Sequence, residues 1–581
     1  MDSFGMDWLV LISIGILLIV IVSGRMKPAT AFSSLAVIYL TCNLVTLPTF
    51  LNSFTNPALA TLVLLLILSL VFERANLLEK LASKLLRGGE KFALIKLLIT
   101  TSTLSAFLNN TAVVSTLLSH VAKQTSISPS RLLIPLSYAS ILGGITTLIG
   151  TSTNLVVNSF MINAGLPELT LFQFSQVGIP IAIISLIALY FAARLLPKSN
   201  ETEQQENQNQ YFLTAKVEPN SPLINKTIEA NKLRNLEGLY LVEIERNNTL
   251  ISPVAPNERI QQNDLLMFSG EISKASALQN FEGLTIGDQK VTQVFNNNLV
   301  EVIISNQSEL AGKTLQSVDF RTMFNAAVIG IRRGDKKLKG QLGRIPLKVG
   351  DSLLITAGAN FKNHRNLDRN FHILTKDHYQ PQINTLVSSM AVLGFIGVLI
   401  LSLMQILPLF TGLLLLLGIL IGSKVLSLSE VRRRFPFEHI VIIGSALIIA
   451  QGLQQSGAAH HITHLMRYLL EGRDVYFTLI ILYLMTWGLT EIITNNAAAA
   501  LSFPIALSIA QSLQLDPFPF IMTVAFAASA CFLIPFGYQT HLMVYSAGRY
   551  TIKHFLKVGS IISLVYFLCT INLVYFVYIS P

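Results

Sequence analysis

Charged residues are scarce in this chain of 581 amino acids: they make up 13% of it, whereas 51% is hydrophobic. A soluble domain carries about twice that share of charge. Apolar runs fill the difference, for example residues 8–22 and 58–72, whose lengths approach what a helix needs to cross a bilayer. The composition therefore excludes an ordinary soluble domain and predicts a polytopic α-helical membrane protein.

Cysteine is rarer still. The three cysteines, Cys42, Cys531 and Cys569, are scattered in apolar runs, so neither a disulfide framework nor a structural zinc site is predicted. No set of nucleophile, base and orienting residue stands out, so we do not expect an enzyme. Haem is not an expected cofactor either. The net charge of +10 is typical of basic cytoplasmic loops, and no nucleic-acid partner is expected.

Hydrophobicity falls abruptly in the middle of the chain. The segment 199–210 is rich in Gln, Asn and Glu, as linkers often are, and apolar runs return only after residue 382. The sequence therefore predicts a first transmembrane repeat (1–198), this linker, a soluble insertion and a second transmembrane repeat (383–581). Residues 199–382 are expected to face the cytoplasm.

The insertion repeats itself without a gap at an offset of 87 positions. SPLINKT (221–227) aligns with SELAGKT (308–314), and Asp264 falls on Asp351. Apolar and polar residues alternate around β-branched positions, which is typical of short strands. We therefore expect two small α+β modules in tandem.

The modules, residues 211–285 and 286–375, resemble the C-terminal subdomain of regulator-of-potassium-conductance proteins, the TrkA-C type. The nucleotide-binding half of such proteins is missing, because no G-x-G-x-x-G follows a strand in the insertion. NAD is therefore not an expected cofactor. The modules are expected to be structural or dimerising, and sensing of a small ligand is the alternative.

Polar residues interrupt the apolar runs at matching places in the two membrane halves. SAFLNNTA begins at Ser105 and TEIITNNA begins at Thr490; each has a hydroxyl, three spacer residues, a polar triplet and an alanine. The triplets are Asn109, Asn110 and Thr111 in the first half and Thr494, Asn495 and Asn496 in the second. An unpaired amide or hydroxyl is costly in hydrocarbon, so these residues need a function or a partner.

A second pair of polar breaks follows each triplet. GTSTNLVV (150–157) aligns with GYQTHLMV (537–544), which matches Thr153 to Thr540. The distance from the triplet to the glycine is 39 residues in the first half and 41 in the second. Two paired breaks at nearly equal spacing indicate an internal duplication, with a broken helix in each half.

The basic residues indicate how the halves are oriented. They flank the segment 92–120 on both sides, so this segment is predicted to enter the membrane and return, with the first triplet at its tip. The segment 475–512 is predicted to do the same from the opposite face. The fold class is therefore an inverted-topology repeat with two re-entrant helical hairpins and two broken helices.

The tips of such hairpins offer ligand groups. The free N–H groups of a helix N-terminus attract anions, while hydroxyls and unwound carbonyls suit a small cation such as Na⁺. Two inverted tips that meet near the midplane could hold both ends of a divalent anion. The alternative is that the amides only join helices through interhelical hydrogen bonds.

These motifs resemble the divalent anion:sodium symporter family of the wider ion-transporter superfamily, in particular sulfate-permease-like members with a tandem TrkA-C insertion. The resemblance implies substrate contacts from both triplets and from Thr153 and Thr540. It also implies two Na⁺ sites, one formed by Ser105, Asn110, Gly143 and Gly144 and one by Thr490, Asn495, Ala530 and Cys531.

The resemblance further implies a secondary active transporter for a sulfate-like oxyanion or a dicarboxylate, coupled to Na⁺. An elevator-type motion, a homodimer and a bacterial-type plasma membrane with its lipids are part of the same expectation. The alternatives are a transport-derived anion sensor, a proton-coupled or uncoupled carrier, and a channel.

Several residues depart from this pattern or are not absorbed by it. Asn496 stands where dicarboxylate carriers usually have Thr, and His541 where relatives keep Asn; His541 is expected to be a neutral packing residue or a source of proton sensitivity. Glu491 either tunes the Na⁺ site or pairs with a basic residue. His460 and His464 have the spacing of helical metal ligands, but an interfacial helix is the favoured interpretation.

Overall fold

A computed structural model describes most of the chain. The described ranges are 3–23, 26–73, 90–122, 128–197, most of 212–374, 385–433, 435–458, His461 and 474–580. The linker 199–210 and the pair His460 and His464 lie outside the described residues, so their assignments stay predictions.

Nine helices are described in the first half. They are α1 (Ser3–Val22), α2 (Pro28–Thr41), α3 (Leu47–Phe54), α4 (Pro57–Glu73), α5 (Glu90–Ser105), α6 (Asn110–Ala122), α7 (Leu133–Gly144), α8 (Ser152–Asn163) and α9 (Ser175–Ala192). Most are apolar on all sides, as expected for helices that face lipid or other helices. The chain breaks between α5 and α6 and again between α7 and α8, at the two polar motifs.

The insertion folds into two antiparallel sheets. The first contains β1 (Phe212–Val217), β2 (Leu239–Arg246), β3 (Thr249–Ile251), β4 (Leu265–Gly270) and β5 (Leu284–Ile286) in the order β3-β2-β4-β1-β5. The second contains β6 (Leu299–Ile304), α10 (Phe320–Phe324), β7 (Ala326–Arg333), β8 (Lys336–Lys337), β9 (Ser352–Ala357), α11 (Leu367–Asn370) and β10 (Phe371–Ile373) in the order β8-β7-β9-β6-β10. We refer to the sheet of β1–β5 as the first module and to β6–β10 with its helices as the second module.

The same offset of 87 residues relates the two modules in detail. The register of β2 against β4 shifts after Leu241, and that of β7 against β9 shifts after Val328. In each module an arginine at the end of the second strand binds a buried aspartate through two nitrogens. The pairs are Arg246 with Asp264 and Arg333 with Asp351, at 2.7–2.9 Å. The hydrogen bond to the aspartate raises the pKa of each arginine above its ordinary value.

The Asp351 carboxylate gives a stability prediction. Its side chain is 0% exposed and accepts from Arg333 and from the backbone N–H of Lys348. Asp351→Asn replaces one acceptor by a donor, so we expect the full-length protein to lose about 2 kcal/mol of unfolding free energy. A denaturation curve in detergent measures this. Glu309→Gln removes a pair with Arg369 in which both side chains are about half exposed, and it should have little effect; equal losses would contradict the argument.

Nine further helices are described after the modules. They are α12 (Thr385–Leu403), α13 (Leu409–Gly422), α14 (Leu428–Arg433), α15 (Phe437–Gln455), α16 (Val475–Ile492), α17 (Asn495–Leu513), α18 (Phe518–Ala528), α19 (Gln539–Ala547) and α20 (Ile552–Tyr578). The breaks between α16 and α17 and between α18 and α19 again coincide with the polar motifs. Helices α5 and α7 pack together, and so do their counterparts α16 and α18.

Six helices in the described part of the chain are long and apolar enough to cross a membrane. They are Leu47–Ser69, which takes in α3 and most of α4, and Ser175–Leu195, Phe437–Gln455, Val475–Ile492, Asn495–Leu513 and Ile552–Tyr578. The prediction of a multi-pass membrane protein is thereby confirmed. Because α16 and α17 each have the length of a span, their re-entry into the same face stays a prediction, as does the inverted orientation of the halves.

Candidate functional site

The first polar break, which we call the first tip, lies between α5 and α6. Helix α5 ends at Ser105, and α6 begins at Asn110, the middle residue of the triplet. The Asn109 side chain accepts a hydrogen bond from the N–H of Thr111 at 2.8 Å and so caps the new helix. The residues that interrupt the apolar run therefore begin a helix, with its N–H groups at the break.

The Asn110 amide is the centre of this break. It lies 2.5 Å from the Ser105 hydroxyl and 2.8 Å from the Tyr538 hydroxyl, and it is almost fully buried. With the amide nitrogen on the Ser105 side, it also donates to the carbonyls of Ser140 at 3.1 Å and Gly150 at 3.3 Å, while its oxygen accepts from Tyr538. One amide thus joins the tip, the first broken helix and the second broken helix.

The break between α16 and α17, the second tip, repeats this arrangement. The Thr490 hydroxyl lies 2.9 Å from the side-chain oxygen of Asn495 and donates to the carbonyl of Ala528 at 2.6 Å. Thr494, like Asn109, caps the helix that follows, by accepting from the N–H of Ala497. A buried hydroxyl and a buried asparagine five positions later therefore meet at both tips.

Each tip contacts the broken helix of the other half. The Asn496 oxygen accepts from Ser152 at 3.1 Å and Thr153 at 3.4 Å, both in the first turn of α8. Asn110 meets Tyr538, which directly precedes α19. The structure thus brings both triplets and both broken helices to one place.

Sequence reasoning missed Ser152 and Tyr538. Both lie inside the aligned motifs, and Tyr538 aligns with Thr151, so a hydroxyl stands at that position in each half. That shared hydroxyl was the available signal.

The first proposed cation site is held together by glycines. A Cβ added to Gly144 would lie 2.7 Å from the Asn110 amide atom that faces Ser105 and 3.1 Å from the Gly150 carbonyl. A Cβ on Gly143 would lie 2.0 Å from the Ser102 carbonyl. Because only hydrogen fits at both positions, the C-terminal end of α7 packs directly on the tip. Ser105, Asn110, Gly143 and Gly144 are therefore neighbours, as the resemblance implies.

At the second proposed cation site, the residues after the broken helix again lie close to the hydroxyl of the tip, but they are Ala and Cys instead of two glycines. A Cβ added to Gly537 would lie 3.2 Å from the Thr490 carbonyl and 3.7 Å from the Cys531 Cβ. Ala530 and Cys531 lie in the unwound stretch between α18 and α19 and are fully buried. The oxygen groups available at both places are hydroxyl, amide and carbonyl, which are the uncharged oxygen ligands that fit Na⁺ in broken helices.

His541 occupies the place of Asn154 in the repeat. Its Nε2 lies 2.7 Å from the Cys531 carbonyl and its Nδ1 lies 2.7 Å from the Ser137 hydroxyl. A carbonyl only accepts, so a neutral ring with hydrogen on Nε2 satisfies both neighbours. Asn154 similarly donates to the Thr147 carbonyl at 2.8 Å. Both residues hold the unwound carbonyls of their own half.

Glu491 binds backbone amides. Its carboxylate accepts from the N–H groups of Leu533 at 2.9 Å and Ile534 at 3.3 Å, and the residue is 7% exposed. No ion pair to Glu491 occurs among the described residues, so of the two interpretations offered by the sequence, pairing with a basic side chain finds no support there. The carboxylate instead satisfies donors that the unwound stretch leaves open.

Glu491→Gln is expected to lower anion uptake by about tenfold, because the amide keeps one acceptor and turns a donor toward a backbone N–H. Uptake by the purified variant in proteoliposomes measures this. Glu438→Gln changes an exposed carboxylate at the start of α15 and serves as the control. Equal uptake by both variants would show that the backbone N–H groups of Leu533 and Ile534 do not need a carboxylate as their acceptor.

Known proteins resemble this chain over most of its length. Residues 16–527 match the family model described as citrate transporter. The uncharacterized transporter sll0640 of Synechocystis is 29% identical, over 94% of this chain and 92% of that protein. The putative sulfur deprivation response regulator of Chlamydomonas reinhardtii is 27% identical, over 87% and 90%. Sodium/sulfate cotransporter 1 of the same alga is 26% identical, over 60% of this chain and 41% of that protein.

The family match covers both polar motifs of the first half and the tip of the second, together with the inserted modules. It confirms the predicted membership of the ion-transporter superfamily and the prediction that the chain is not an enzyme. The likeness of the modules to TrkA-C subdomains stays a prediction. By this match the chain belongs to the citrate transporter family, and it is a multi-pass membrane transporter for small anions.

Proposed function

We propose that the protein carries a divalent anion, a sulfate-like oxyanion or a dicarboxylate, across the membrane together with Na⁺. The observation that carries this proposal is the pair of buried hydroxyl–asparagine contacts, Ser105 with Asn110 and Thr490 with Asn495, at two helix N-termini. Two such ends, each touching the broken helix of the other half, form a neutral, donor-rich site. Neutral donors bind a dianion without the desolvation penalty of a buried arginine.

The substrate site consists of the triplets and the first turns of α8 and α19. Asn109, Thr111 and Asn496 are only partly buried, so their polar groups are accessible, whereas Asn110 and Asn495 are buried behind them. Thr153 donates toward Asn496, and the Thr540 hydroxyl meets Ser137 at 2.7 Å. The partly buried members are therefore proposed to contact the anion, and the buried members to join the anion site to the cation sites.

Na⁺ is proposed as the coupling ion. In each half it would be held by the hydroxyl and the asparagine of the tip and by backbone carbonyls. These would be the carbonyls at the end of α7, at Gly143–Gly144, and those of the unwound stretch at Ala530–Cys531. A cation beside the anion lowers the cost of burying either charge, and this mutual stabilisation couples the two fluxes. The relative named a sodium/sulfate cotransporter supports this choice of ion.

Transport is proposed to follow an elevator-type motion. The two tips and the two broken helices would move as one block against the remaining spans, in a homodimer within the lipid of the plasma membrane. The modules would then face the cytoplasm, where the linker and the basic residues place residues 199–382 by sequence.

Equilibrium binding tests the site without transport. Purified protein should bind radiolabelled sulfate or succinate in NaCl and lose most of that binding in KCl at equal ionic strength. The two anions compete if they share the site. Binding of either anion that is equal in both salts would overturn the proposed Na⁺ ligands.

A sensor is the second candidate. It is favoured by one observation, the match over most of both chains to the relative named a putative sulfur deprivation response regulator. A sensor would bind the anion with the same residues but would not carry it into proteoliposomes. Na⁺-dependent binding with no flux would support this candidate over the carrier.

A further inference from the structure

The second module contacts the C-terminal end of α19, the half-helix that carries Thr540 and His541. The Ser546 hydroxyl, which is fully buried, donates to the carbonyl of Gly350. Arg332 donates to the Ser546 carbonyl at 3.2 Å. Ile303 and Leu374 of the module belong to the same apolar cluster as the membrane helices. The soluble module is thus packed onto an element of the proposed site.

Two glycines of the second module make this approach possible. Gly334 and Gly350 have φ angles of +60° and +84°. A Cβ added to Gly334 would lie 2.3 Å from the Tyr545 hydroxyl oxygen, and one added to Gly350 would lie 3.0 Å from a methyl carbon of Leu542. Side chains at these two turns would therefore meet the helix.

The first module shows that the turns themselves do not require glycine. At the offset of 87 residues, Gly334 corresponds to Asn247 and Gly350 to Asn263. These asparagines have φ angles of 50° and 63°, so they adopt the same left-handed conformation with a side chain present. Glycine is therefore required at these positions of the second module because α19 packs against the turns and leaves no room for a side chain.

The two modules also differ in charge at the residue that contacts α19, and the charge in the second module suits that contact. Arg332 corresponds to Glu245 of the first module. An arginine suits the last turn of α19, because unsatisfied carbonyls make a helix C-terminus negative, and a glutamate there would be repelled. Glu301 holds Arg332 at 2.7 Å and also accepts from Ser352 at 2.6 Å. In the first module the corresponding positions are Thr214 and Leu265.

We infer that the second module is a latch for α19 and slows the transport cycle while it is docked. This inference rests on the proposed function. Helix α19 has nine residues and is about 13 Å long, so its docked end and its site end move together. Contacts that stabilise one arrangement of α19 lengthen the life of that arrangement. Release of the module therefore precedes movement of the second broken helix.

The first module supplies the test substitutions. Gly334→Asn and Gly350→Asn introduce residues that the same fold already accepts at these positions, and Arg332→Glu is made together with Glu301→Thr, so that both positions carry the residues of the first module. The module should therefore still fold. The matched controls, Asn247→Gly and Asn263→Gly, change the same turns away from α19. The latch variants should increase the maximal uptake rate in proteoliposomes about threefold or more, with the substrate KM unchanged, and the controls should not. Unchanged or lower rates in the latch variants would overturn the latch.

A disulfide tests the same contact in the opposite direction. A Cβ on Gly350 would lie 3.8 Å from the Leu542 Cβ, which is the usual separation in a disulfide. In a background without Cys42 and Cys569, oxidation of the pair Gly350→Cys and Leu542→Cys should lower uptake at least about tenfold, and reduction should restore it. Each single variant should be insensitive to oxidation. Full uptake by the oxidised pair would show that docking does not oppose transport.

The yield of this disulfide separates the latch from the proposed function. It needs no transport, so it can be measured even if the protein carries neither sulfate nor succinate. Adding Arg332→Glu to the cysteine pair should lower the yield several-fold, because the charge pairing at the helix end is reversed. An unchanged yield would overturn the docking role of Arg332, whatever the uptake assay gives.

Discussion

Replacing Asn110 or Asn495 by alanine is expected to abolish anion uptake while the protein stays folded. Each amide is buried and meets the hydroxyl five residues before it, and Asn110 also meets Tyr538 of the other half and two carbonyls of its own half. Alanine removes all of these contacts and the proposed amide ligand of Na⁺. Loss of two or more buried hydrogen bonds, at about 1–1.5 kcal/mol each, corresponds to a fall in uptake rate of about 100-fold.

Uptake of radiolabelled sulfate and succinate by purified variants in proteoliposomes measures this effect, and size-exclusion chromatography verifies folding. Asn52→Ala is the matched control, because Asn52 is exposed on α3. If Asn110→Ala or Asn495→Ala carried anions at the normal rate, the site assignment would be wrong. The amides would then serve only to join helices.

Gly144→Ala is expected to be almost as damaging. The new methyl group would lie 2.7 Å from the Asn110 amide atom that faces Ser105, closer than a carbon can approach nitrogen or oxygen without displacement. Either the amide or the unwound backbone must shift, so the hydroxyl–asparagine contact and the carbonyl ligands lose their alignment. We expect uptake to fall about 100-fold, since displacement of binding groups by 1 Å has effects of this size.

The control is Gly488→Ala in α16, where an added Cβ meets nothing within 4 Å. This change keeps the substitution and the membrane environment but creates no collision. The Na⁺ concentration for half-maximal uptake should rise in Gly144→Ala and stay constant in Gly488→Ala. Equal behaviour of the two variants would show that close packing at Gly144 does not shape the site.

The equivalence of the two halves could be predicted from sequence, but the contacts between them could not. The alignment places Asn110 opposite Asn495, and the structure shows the same hydroxyl contact at both. The alignment gives no information on which element each tip contacts, since this depends on how the two halves pack together. Tyr538 and Ser152 were missed for this reason, although both lie within the aligned motifs.

Glu491 shows a second limit of sequence reasoning. An intramembrane carboxylate indicates function or a basic partner, but the partners seen here are backbone N–H groups of Leu533 and Ile534. Such donors exist only because the helix is unwound there, and the sequence does not report which N–H groups an interruption leaves free. His541 was similarly ambiguous until its two ring contacts were known.

The modules show both what the sequence predicts and what it does not. Their repeat was visible as an offset of 87 residues, because strand patterns and turn residues are local features. The docking onto α19 was not visible, since an exchange of Asn for Gly at a left-handed position usually reflects turn chemistry alone. Only the neighbouring Tyr545 and Leu542 give the glycines at 334 and 350 another meaning.

Uptake of radiolabelled sulfate and of succinate into proteoliposomes, with and without an inward Na⁺ gradient, tests the central claim most directly. The Na⁺-coupled carrier predicts that at least one anion accumulates above equilibrium when the gradient is present and only equilibrates when K⁺ replaces Na⁺. Accumulation that is equal in both salts, or the absence of flux for both anions, would contradict it.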